Sequence, residues 1–263
     1  MKKCLVLLVM IILISPAFVF CDLITFKIGY FIPRAQHGKE FPDSLWTIEF
    51  DNMSFRPSNF SDTVYGFAYE YFAAPQLSLM LSIDGYGKTK VGYYNDYIGF
   101  SFKEGDFAFP EKYYGDSKDA FSIEHSFAVS ITPFQLSLKL TPLGRRTRLI
   151  PYVGGGAGFY LWNVRLRGDT IDFNDAWIYT DPNLGDVEVY KIKQADLDER
   201  RDNTKFSVGY HAFGGFMFPV GNRLTIDGQI KYNFLKVKLE RFEGFEDFDL
   251  SGYQLTIGLN YWF

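Results

Sequence analysis

The sequence predicts an all-β protein, an eight-stranded antiparallel up-and-down transmembrane β-barrel, and three observations predict this class. Eight segments alternate between apolar residues and polar or small residues, as strands with one apolar face do. The connections between the segments alternate between short and long, which is the plan of a barrel with short periplasmic turns and four long extracellular loops. No run of 18 or more apolar residues follows residue 21, so no membrane-spanning helix is predicted there.

The first 21 residues have the pattern of a cleaved secretory signal peptide. Lys2 and Lys3 precede an apolar core from Leu5 to Ile14, and Val19-Phe20-Cys21 fits a cleavage site. Cleavage after Cys21 leaves a barrel domain of residues 22–263, which contains no cysteine and therefore no disulfide. An alternative is that Cys21 becomes a lipidated first residue.

The last segment shows the alternation most plainly. In "SGYQLTIGLNYWF", residues 251–263, the apolar residues share one parity, and Trp262 is the only bulky residue on the other. Beside Thr132-Pro133 the apolar parity of the fourth segment changes, which predicts a β-bulge. The eight predicted strands cover residues 24–32, 65–71, 77–84, 121–140, 151–166, 206–218, 224–234 and 251–263. The predicted long loops are 34–62, 87–119, 167–204 and 236–249.

The polar parity of the strands is expected to face the lumen and the apolar parity to face lipid. The polar side carries small residues and charges of both signs, and the narrow interior of eight strands can pair such charges. Gly154, Gly156 and Gly158 are expected to leave room there for Tyr160 or Trp262. The predicted polar network of the lumen is Lys27, Glu70, Asp84, Lys139, His211, Asp227 and Lys231. The alternative is a soluble barrel with an apolar lumen that carries an oily ligand.

The sequence predicts no catalytic residue, no cofactor and no metal site. His211, Ser207 and Asp227 could form a Ser-His-acid set, but such sets are defined by geometry, and a hydrogen-bonded lumen histidine is expected instead. The run Gly154–Gly158 lacks the Lys-Ser/Thr and the helix of a phosphate-binding loop. The net charge of −4 gives no indication of a nucleic-acid partner.

Two motifs give the chain a resemblance to a known family. Thr256, Gly258, Tyr261 and Phe263 match the C-terminal signature that outer-membrane barrels present to the barrel-assembly machinery, and "PYVGGGAGFY" from Pro151 is similar to the fifth strand of opacity-type barrels. The chain thus resembles the eight-stranded outer-membrane barrels: the OmpA transmembrane domain, OmpX, OmpW and the opacity-type proteins. The resemblance implies export, insertion by that machinery, contact with outer-membrane lipid and a Gram-negative-type outer membrane location. It does not imply one activity.

The expected function is a structural or surface-interaction role, without catalysis, in which the long external loops meet an extracellular ligand. The aromatic residues expected to form the contact surface are Tyr93, Tyr94, Tyr97, Phe100, Phe102, Phe107, Tyr113 and Tyr114. One alternative is a narrow channel or transporter for small solutes, as the similarity to OmpW-type barrels implies. A less favoured alternative is an enzyme that modifies lipid A.

Overall fold

The computed structural model describes residues 22–34, 52–145, 147–199, 205–240 and 248–263. The predicted signal peptide and most of the first long loop therefore lie outside the described residues. The strands, in chain order, are β1 (Leu23–Pro33), β2 (Asp62–Ala74), β3 (Leu77–Tyr93), β4 (Tyr97–Phe102), β5 (Gly105–Pro110), β6 (Glu124–Leu140), β7 (Ile150–Asp181), β8 (Gly185–Asp198), β9 (Phe206–Pro219), β10 (Leu224–Phe234), β11 (Lys236–Val237), β12 (Phe248–Asp249) and β13 (Gly252–Trp262). One turn of helix, α1 (Glu111–Tyr114), and a 3-10 helix (Pro57–Phe60) lie outside the barrel strands.

Eight of these strands form a closed antiparallel barrel, as the alternation predicts. Their order is β7-β6-β3-β2-β1-β13-β10-β9, and a β7–β9 pairing completes the ring. The final strand pairs with the first along its whole length, from Leu23 opposite Trp262 to Pro33 opposite Gly252. The C-terminal segment is therefore held between β1 and β10, which explains why its alternation continues to the last residues.

Short turns join the strands at one end of the barrel, here called the turn end. They lie between β2 and β3, β6 and β7, and β9 and β10. The opposite end, called the hairpin end, carries the long connections. None of the described helices is long and apolar enough to cross a membrane.

Apolar side chains cover the outside of the half of the barrel nearest the turns, as predicted. On β13 the exposed residues are Tyr253, Leu255, Ile257, Leu259, Tyr261 and Phe263. Alternate residues Gln254, Thr256 and Asn260 are buried. Ten strand steps at the usual rise and barrel tilt give this belt a height of about 25 Å, the height of the lipid-facing band of membrane barrels. Leu79 and Phe216 are also exposed, so the soluble carrier with an apolar lumen is not the fold observed.

The outer and inner faces exchange polarity at the level where Ile83 pairs with Phe134. Below this level, the outward residues of β6 are Phe134, Leu136, Leu138 and Leu140, all exposed. Above it, the inward residues Phe127, Val129 and Ile131 are buried, and the outward residues become Ser126, Ala128, Ser130 and Thr132. The predicted bulge at Thr132-Pro133 is wrong, because the β6–β7 register runs without a shift from His125 to Leu140. The change of parity instead marks the level at which the apolar residues move from the outer face of the wall to its inner face.

The interior of the hairpin-end half is consequently an ordinary apolar core. It includes Phe31, Val64, Phe127, Tyr160, Trp162 and Val164. Residues 52–60 fold over this core, and Met53, Phe55 and Phe60 are buried in it. The Tyr86 hydroxyl donates a hydrogen bond to the Phe60 carbonyl, and the Ser54 amide donates to the Tyr93 carbonyl at 2.8 Å. These contacts cap the barrel at the hairpin end.

Two of the predicted long loops are largely β-structure. β7 and β8 continue beyond the barrel as a hairpin, and β5 pairs with β8 through Phe107–Lys191 and Ala108–Tyr190. The order β4-β5-β8-β7 makes this extension part of one 11-stranded sheet with the barrel. We call β4, β5, β8 and the β7 residues beyond Gly168 the outer sheet.

Glycines make room for large rings inside the lumen, although the rings differ from those predicted. A Cβ on Gly154 would lie 2.4 Å from the ring of Phe213, and one on Gly215 would lie 2.5 Å from the Tyr152 hydroxyl. A Cβ on Gly156 would lie 2.0 Å from the Leu136 carbonyl oxygen, and one on Gly158 would lie 2.5 Å from that of Phe134. Tyr160 lies over Gly209 instead. Trp262, the other ring expected there, stacks on Phe72 at the turn end with a centroid distance of 5.5 Å.

Candidate functional site

The predicted lumen residues are all buried in the turn-end half, where they form two ion-pair clusters and a separate serine–histidine pair. All seven lie at 7% exposure or below. Three are lysines and three are carboxylic acids, so the charged side chains can balance one another. Such balance matters because an unpaired charge in this interior has no water to solvate it.

The first cluster is centred on Asp84. Lys27 Nζ lies 3.0 Å from Asp84 Oδ1, and Lys231 Nζ forms an ion pair with Asp84 Oδ2. Lys231 also donates to Gln135 Oε1 at 2.8 Å, and Gln135 Nε2 lies 2.7 Å from the Tyr160 hydroxyl. The cluster thus ties β1, β3, β6, β7 and β10 together across the lumen.

The second cluster lies nearer the turn end and is centred on Lys139. Lys139 Nζ lies 2.8 Å from Glu70 Oε2 and 4.1 Å from the centroid of the Tyr152 ring, a cation–π distance. Ser78 donates a hydrogen bond to the other Glu70 oxygen. The Tyr152 hydroxyl donates to Asp227 Oδ1 at 2.6 Å.

His211 pairs with Ser137, which the sequence did not predict, and not with Ser207 or Asp227. The distance from His211 Nε2 to Ser137 Oγ is 2.7 Å, and no partner of Nδ1 occurs among the described residues. Ser207 Oγ accepts a hydrogen bond from the Trp162 indole at 3.1 Å. Ser207, His211 and Asp227 therefore do not form a catalytic set in this geometry.

Little space remains in the lumen at the level where the charged half of the interior meets the apolar core. A cavity of about 20 Å³ remains beside Asp84, Tyr160 and Asn233, which is room for about one water molecule. Farther toward the turn end, Met80, Tyr152, Phe213 and Met217 form an apolar cluster. These side chains narrow the lumen at that level.

The outer sheet carries an aromatic face on one side, formed by Phe100, Phe102, Phe107, Phe109, Trp177 and Tyr179, with Tyr114 of α1 against it. Phe109 contacts Phe100 at a centroid distance of 5.0 Å and Tyr179 at 5.2 Å, and Phe107 contacts Trp177 at 5.6 Å. Phe107 and Phe109 are buried, together with Val187 and Val189. Phe102, Trp177 and Tyr179 remain 37–49% exposed at the edge of this cluster.

The predicted contact aromatics therefore divide into surface and core. Tyr93, Phe102 and Tyr113 are exposed. Tyr94 and Phe107 are buried, so the prediction that they form a contact surface is wrong. Tyr94 belongs to the apolar core of the barrel and Phe107 to the core of the outer sheet. Trp177 and Tyr179 are not among the predicted contact aromatics, although the aromatic and β-branched run from Trp177 to Thr180 is a strand signal. Tyr97, Phe100 and Tyr114 are partly exposed.

Acidic residues surround this face and are engaged within the outer sheet. Asp172 forms an ion pair with Lys193. Asp169 accepts a hydrogen bond from the Gln194 side chain at 3.1 Å. Asp175 accepts one from the Trp177 indole at 2.9 Å. These contacts fix the β7–β8 hairpin and orient Trp177.

His125 is buried beneath the cap at the hairpin end, well above the lipid-facing belt. Its ring lies 5.2 Å from Phe55 and 5.1 Å from Tyr94, both edge-on. Neither ring nitrogen has a hydrogen-bond partner at normal distance among the described residues. Burial lowers the pKa of His125 to about 4, and the backbone of Asp169 opposes this shift only in part.

The residues of the assembly signature lie on β13 and at its end. Thr256 is buried and faces the lumen, whereas Tyr261 and Phe263 are exposed on the belt with a centroid distance of 5.3 Å. Gly258 pairs with Lys27 on β1 and with Asp227 on β10. Their role in assembly stays a prediction.

No protein-family model and no curated protein matches the chain. Among solved structures, Neisserial surface protein A is similar over 92% of this chain and 97% of its own, with 10% identity and a TM-score of 0.43. Escherichia coli outer membrane protein W is similar over 94% of this chain and 100% of its own, with 11% identity and a TM-score of 0.42. The attachment invasion locus protein of Yersinia pestis is similar over 93% of this chain and 100% of its own, with 10% identity and a TM-score of 0.40. With TM-scores below 0.5, these similarities carry no information about function.

Asp84 should be far more important to stability than an acid in an exposed ion pair. Asp84→Asn leaves Lys27 and Lys231 without their shared counter-charge, and we expect a loss of about 3–5 kcal/mol in the free energy of unfolding. The matched control is Asp62→Asn, whose partner Lys88 lies 2.6 Å away with both side chains about one-third exposed, and its expected loss is at most about 1 kcal/mol. Urea unfolding in lipid vesicles measures both, and equal losses would contradict the structural role of the lumen cluster.

Acidification should selectively destabilise the capped half of the barrel through His125. Its folded-state pKa lies below its ordinary value, so the unfolded state binds more protons and stability falls as the pH drops from about 6.5 to about 4. The loss is at most about 3 kcal/mol. His125→Phe should remove this component, so the difference in unfolding free energy between wild type and variant should change across that pH range. A constant difference from pH 7 to pH 4 would exclude the effect.

Proposed function

We propose that the chain is an outer-membrane barrel without catalytic activity that serves as a structural platform for surface interactions. The observation that carries this proposal is the aromatic face of the outer sheet, held beyond a plugged barrel. A hydrogen-bonded sheet supports Phe102, Trp177 and Tyr179, and aromatic side chains are favoured anchors in binding surfaces. Their exposure beyond a lumen that two ion-pair clusters occupy favours contact over transport.

The membrane placement is supported by the belt of outward apolar side chains. A belt of this height in water would be a very large exposed apolar surface, whereas in lipid it is solvated and the closed backbone ladder leaves no unpaired edge. A Gram-negative-type outer membrane is the membrane in which barrels of this plan occur. Cleavage of the predicted signal peptide after Cys21 is part of the same proposal.

The channel alternative makes a distinct prediction. Because the Asp84 and Lys139 clusters cross the lumen, the purified barrel should conduct no ions in planar lipid bilayers. Steady unitary conductance that is abolished by blocking the lumen would replace our proposal with a channel. The lipid A alternative is tested by comparing lipid A mass spectra from cells with and without the chain. A change that the chain causes and that His211→Ala abolishes would replace our proposal with an enzyme.

The orientation and the contact surface can be tested together in cells that express the chain. Ile178→Cys, on the outer sheet, should react with a membrane-impermeant maleimide in intact cells, whereas Val220→Cys, in a short turn, should react only after the outer membrane is permeabilised. Both positions are well exposed, and the unmodified chain gives the background. The opposite labelling pattern would invert the proposed orientation.

For the contact surface, we expect Trp177→Ala with Tyr179→Ala to weaken retention on an array of immobilised proteins and glycans at least tenfold for any spot that holds the wild type. The matched control is Ile178→Ala, because Ile178 lies on the opposite face of the same strand. Equal losses in both variants, or no spot that retains the wild type, would contradict the proposed contact surface.

A further inference from the structure

Charge is strongly segregated between the two ends of the barrel. In the sequence, residues 95–119 carry three basic and six acidic residues, and residues 169–199 carry two basic and nine acidic residues. The two segments together therefore have a formal charge of 5 − 15 = −10. At the other end, the turns at 141–149 and 219–223 contain four arginines and no acidic residue. The turn end is consequently suited to anions and the hairpin end is not.

Aromatic rings at the turn end of the barrel contact one of these arginines, Arg145. The Arg145 guanidinium lies 4.0 Å from the ring centroid of Phe72 and 5.8 Å from that of Trp262. Phe72 and Trp262 stack on each other, and the Trp262 indole donates to Thr225 Oγ1 at 2.5 Å. A cation–π contact fixes the guanidinium but uses none of its N–H donors, which are the groups that bind phosphate oxygens.

A cavity opens beside this arginine at the turn end. Its volume is about 620 Å³, and its lining includes Arg145, Asn222, Thr225 and Trp262 together with Leu143. That volume lies in the range of small-molecule sites and suits a lipid headgroup. Arg223 lies next to Asn222 in the same turn and contacts the Tyr261 hydroxyl at 3.3 Å. Arg148 is exposed in the neighbouring turn.

Exposed apolar residues border the arginines. Leu143 and Val220 are 63% and 57% exposed at the tips of their turns, and Phe218 is exposed on the adjoining belt. A site for free phosphate needs cations alone, whereas a phospholipid needs cations at the height of its phosphate and apolar surface beside its chains. Asp22, an acidic residue described at this rim, accepts a hydrogen bond from the Tyr69 hydroxyl, and the four turn arginines outnumber it.

We propose that the turn-end cavity binds the phosphate group of an anionic phospholipid in the periplasmic leaflet. Arg145, Arg148 and Arg223 supply the cationic contacts, and Phe218 on the adjoining belt packs against the acyl chains. This site rests on the membrane placement proposed above. It would anchor the turn end in the leaflet while the acidic outer sheet stays clear of anionic surfaces.

The test measures which lipid remains bound to the purified barrel. Wild type in mixed micelles with equal amounts of phosphatidylglycerol and phosphatidylcholine should retain phosphatidylglycerol at least tenfold in excess in native mass spectra. The triple variant Arg145→Gln, Arg148→Gln, Arg223→Gln should lose this preference. The control Lys103→Gln, Lys112→Gln, Lys118→Gln removes the same charge from the hairpin end and should keep it.

Three outcomes would overturn the proposal. These are equal retention of both lipids by wild type, equal loss in the control variant, and displacement of phosphatidylglycerol by millimolar inorganic phosphate, which would indicate a free-anion site. Heat-modifiable gel mobility should confirm that each variant has a closed barrel, and single substitutions replace any triple variant that fails this check. If the Ile178→Cys and Val220→Cys labelling supports the orientation but no lipid preference appears, this site fails while the proposed function stands.

Discussion

The structure depends on the closure of one hydrogen-bonded ladder through two different surroundings. In hydrocarbon no water can satisfy a backbone N–H or C=O group, so every strand must have a neighbour on both sides. The β1–β13 and β7–β9 pairings complete this requirement. Once the ladder is closed, each side chain has only two directions available, and the medium on each side decides which residues are tolerated there.

That constraint accounts for the exchange of polarity along the barrel. Below the Ile83–Phe134 pair the outside is apolar, and the ion pairs of Asp84 with its lysines lie inside at the level of this pair. Above it the same strands, without a change of register, hold Phe127 and Trp162 inside. The charged lumen and the apolar cap are therefore two responses of one sheet to lipid and water. The hairpin-end half has an apolar interior and a polar exterior, as a soluble sheet has. Its strands can therefore continue into hairpins that have their own aromatic core.

Much of the fold could be predicted from the sequence, because a period of two reports directly on the two faces of a strand. The burial of Lys27, Glu70 and Lys231 follows from the same parity. The partners do not, since the shear of the barrel decides which strands bring Ser137 to His211 or Tyr152 to Asp227. The sequence predicts a bulge at Thr132-Pro133 in place of the polarity exchange, because parity alone does not reveal which face is apolar. The burial of Tyr94 and Phe107 is not predicted, because segments rich in charge and glycine are typical of exposed loops and do not show that they pack against a core.

A spin-label scan along the outward face of β6 tests most directly whether the turn-end half of the barrel lies in lipid and the hairpin-end half in water. With Cys4 and Cys21 replaced by serine, single cysteines at positions 126, 128, 130, 132, 134, 136, 138 and 140 would be labelled, and the barrel reconstituted in lipid vesicles. Collision rates with oxygen and with a water-soluble nickel complex then report on the surroundings of each label. The account predicts dominant nickel accessibility from 126 to 132 and dominant oxygen accessibility from 134 to 140. A uniform profile along all eight positions would contradict it.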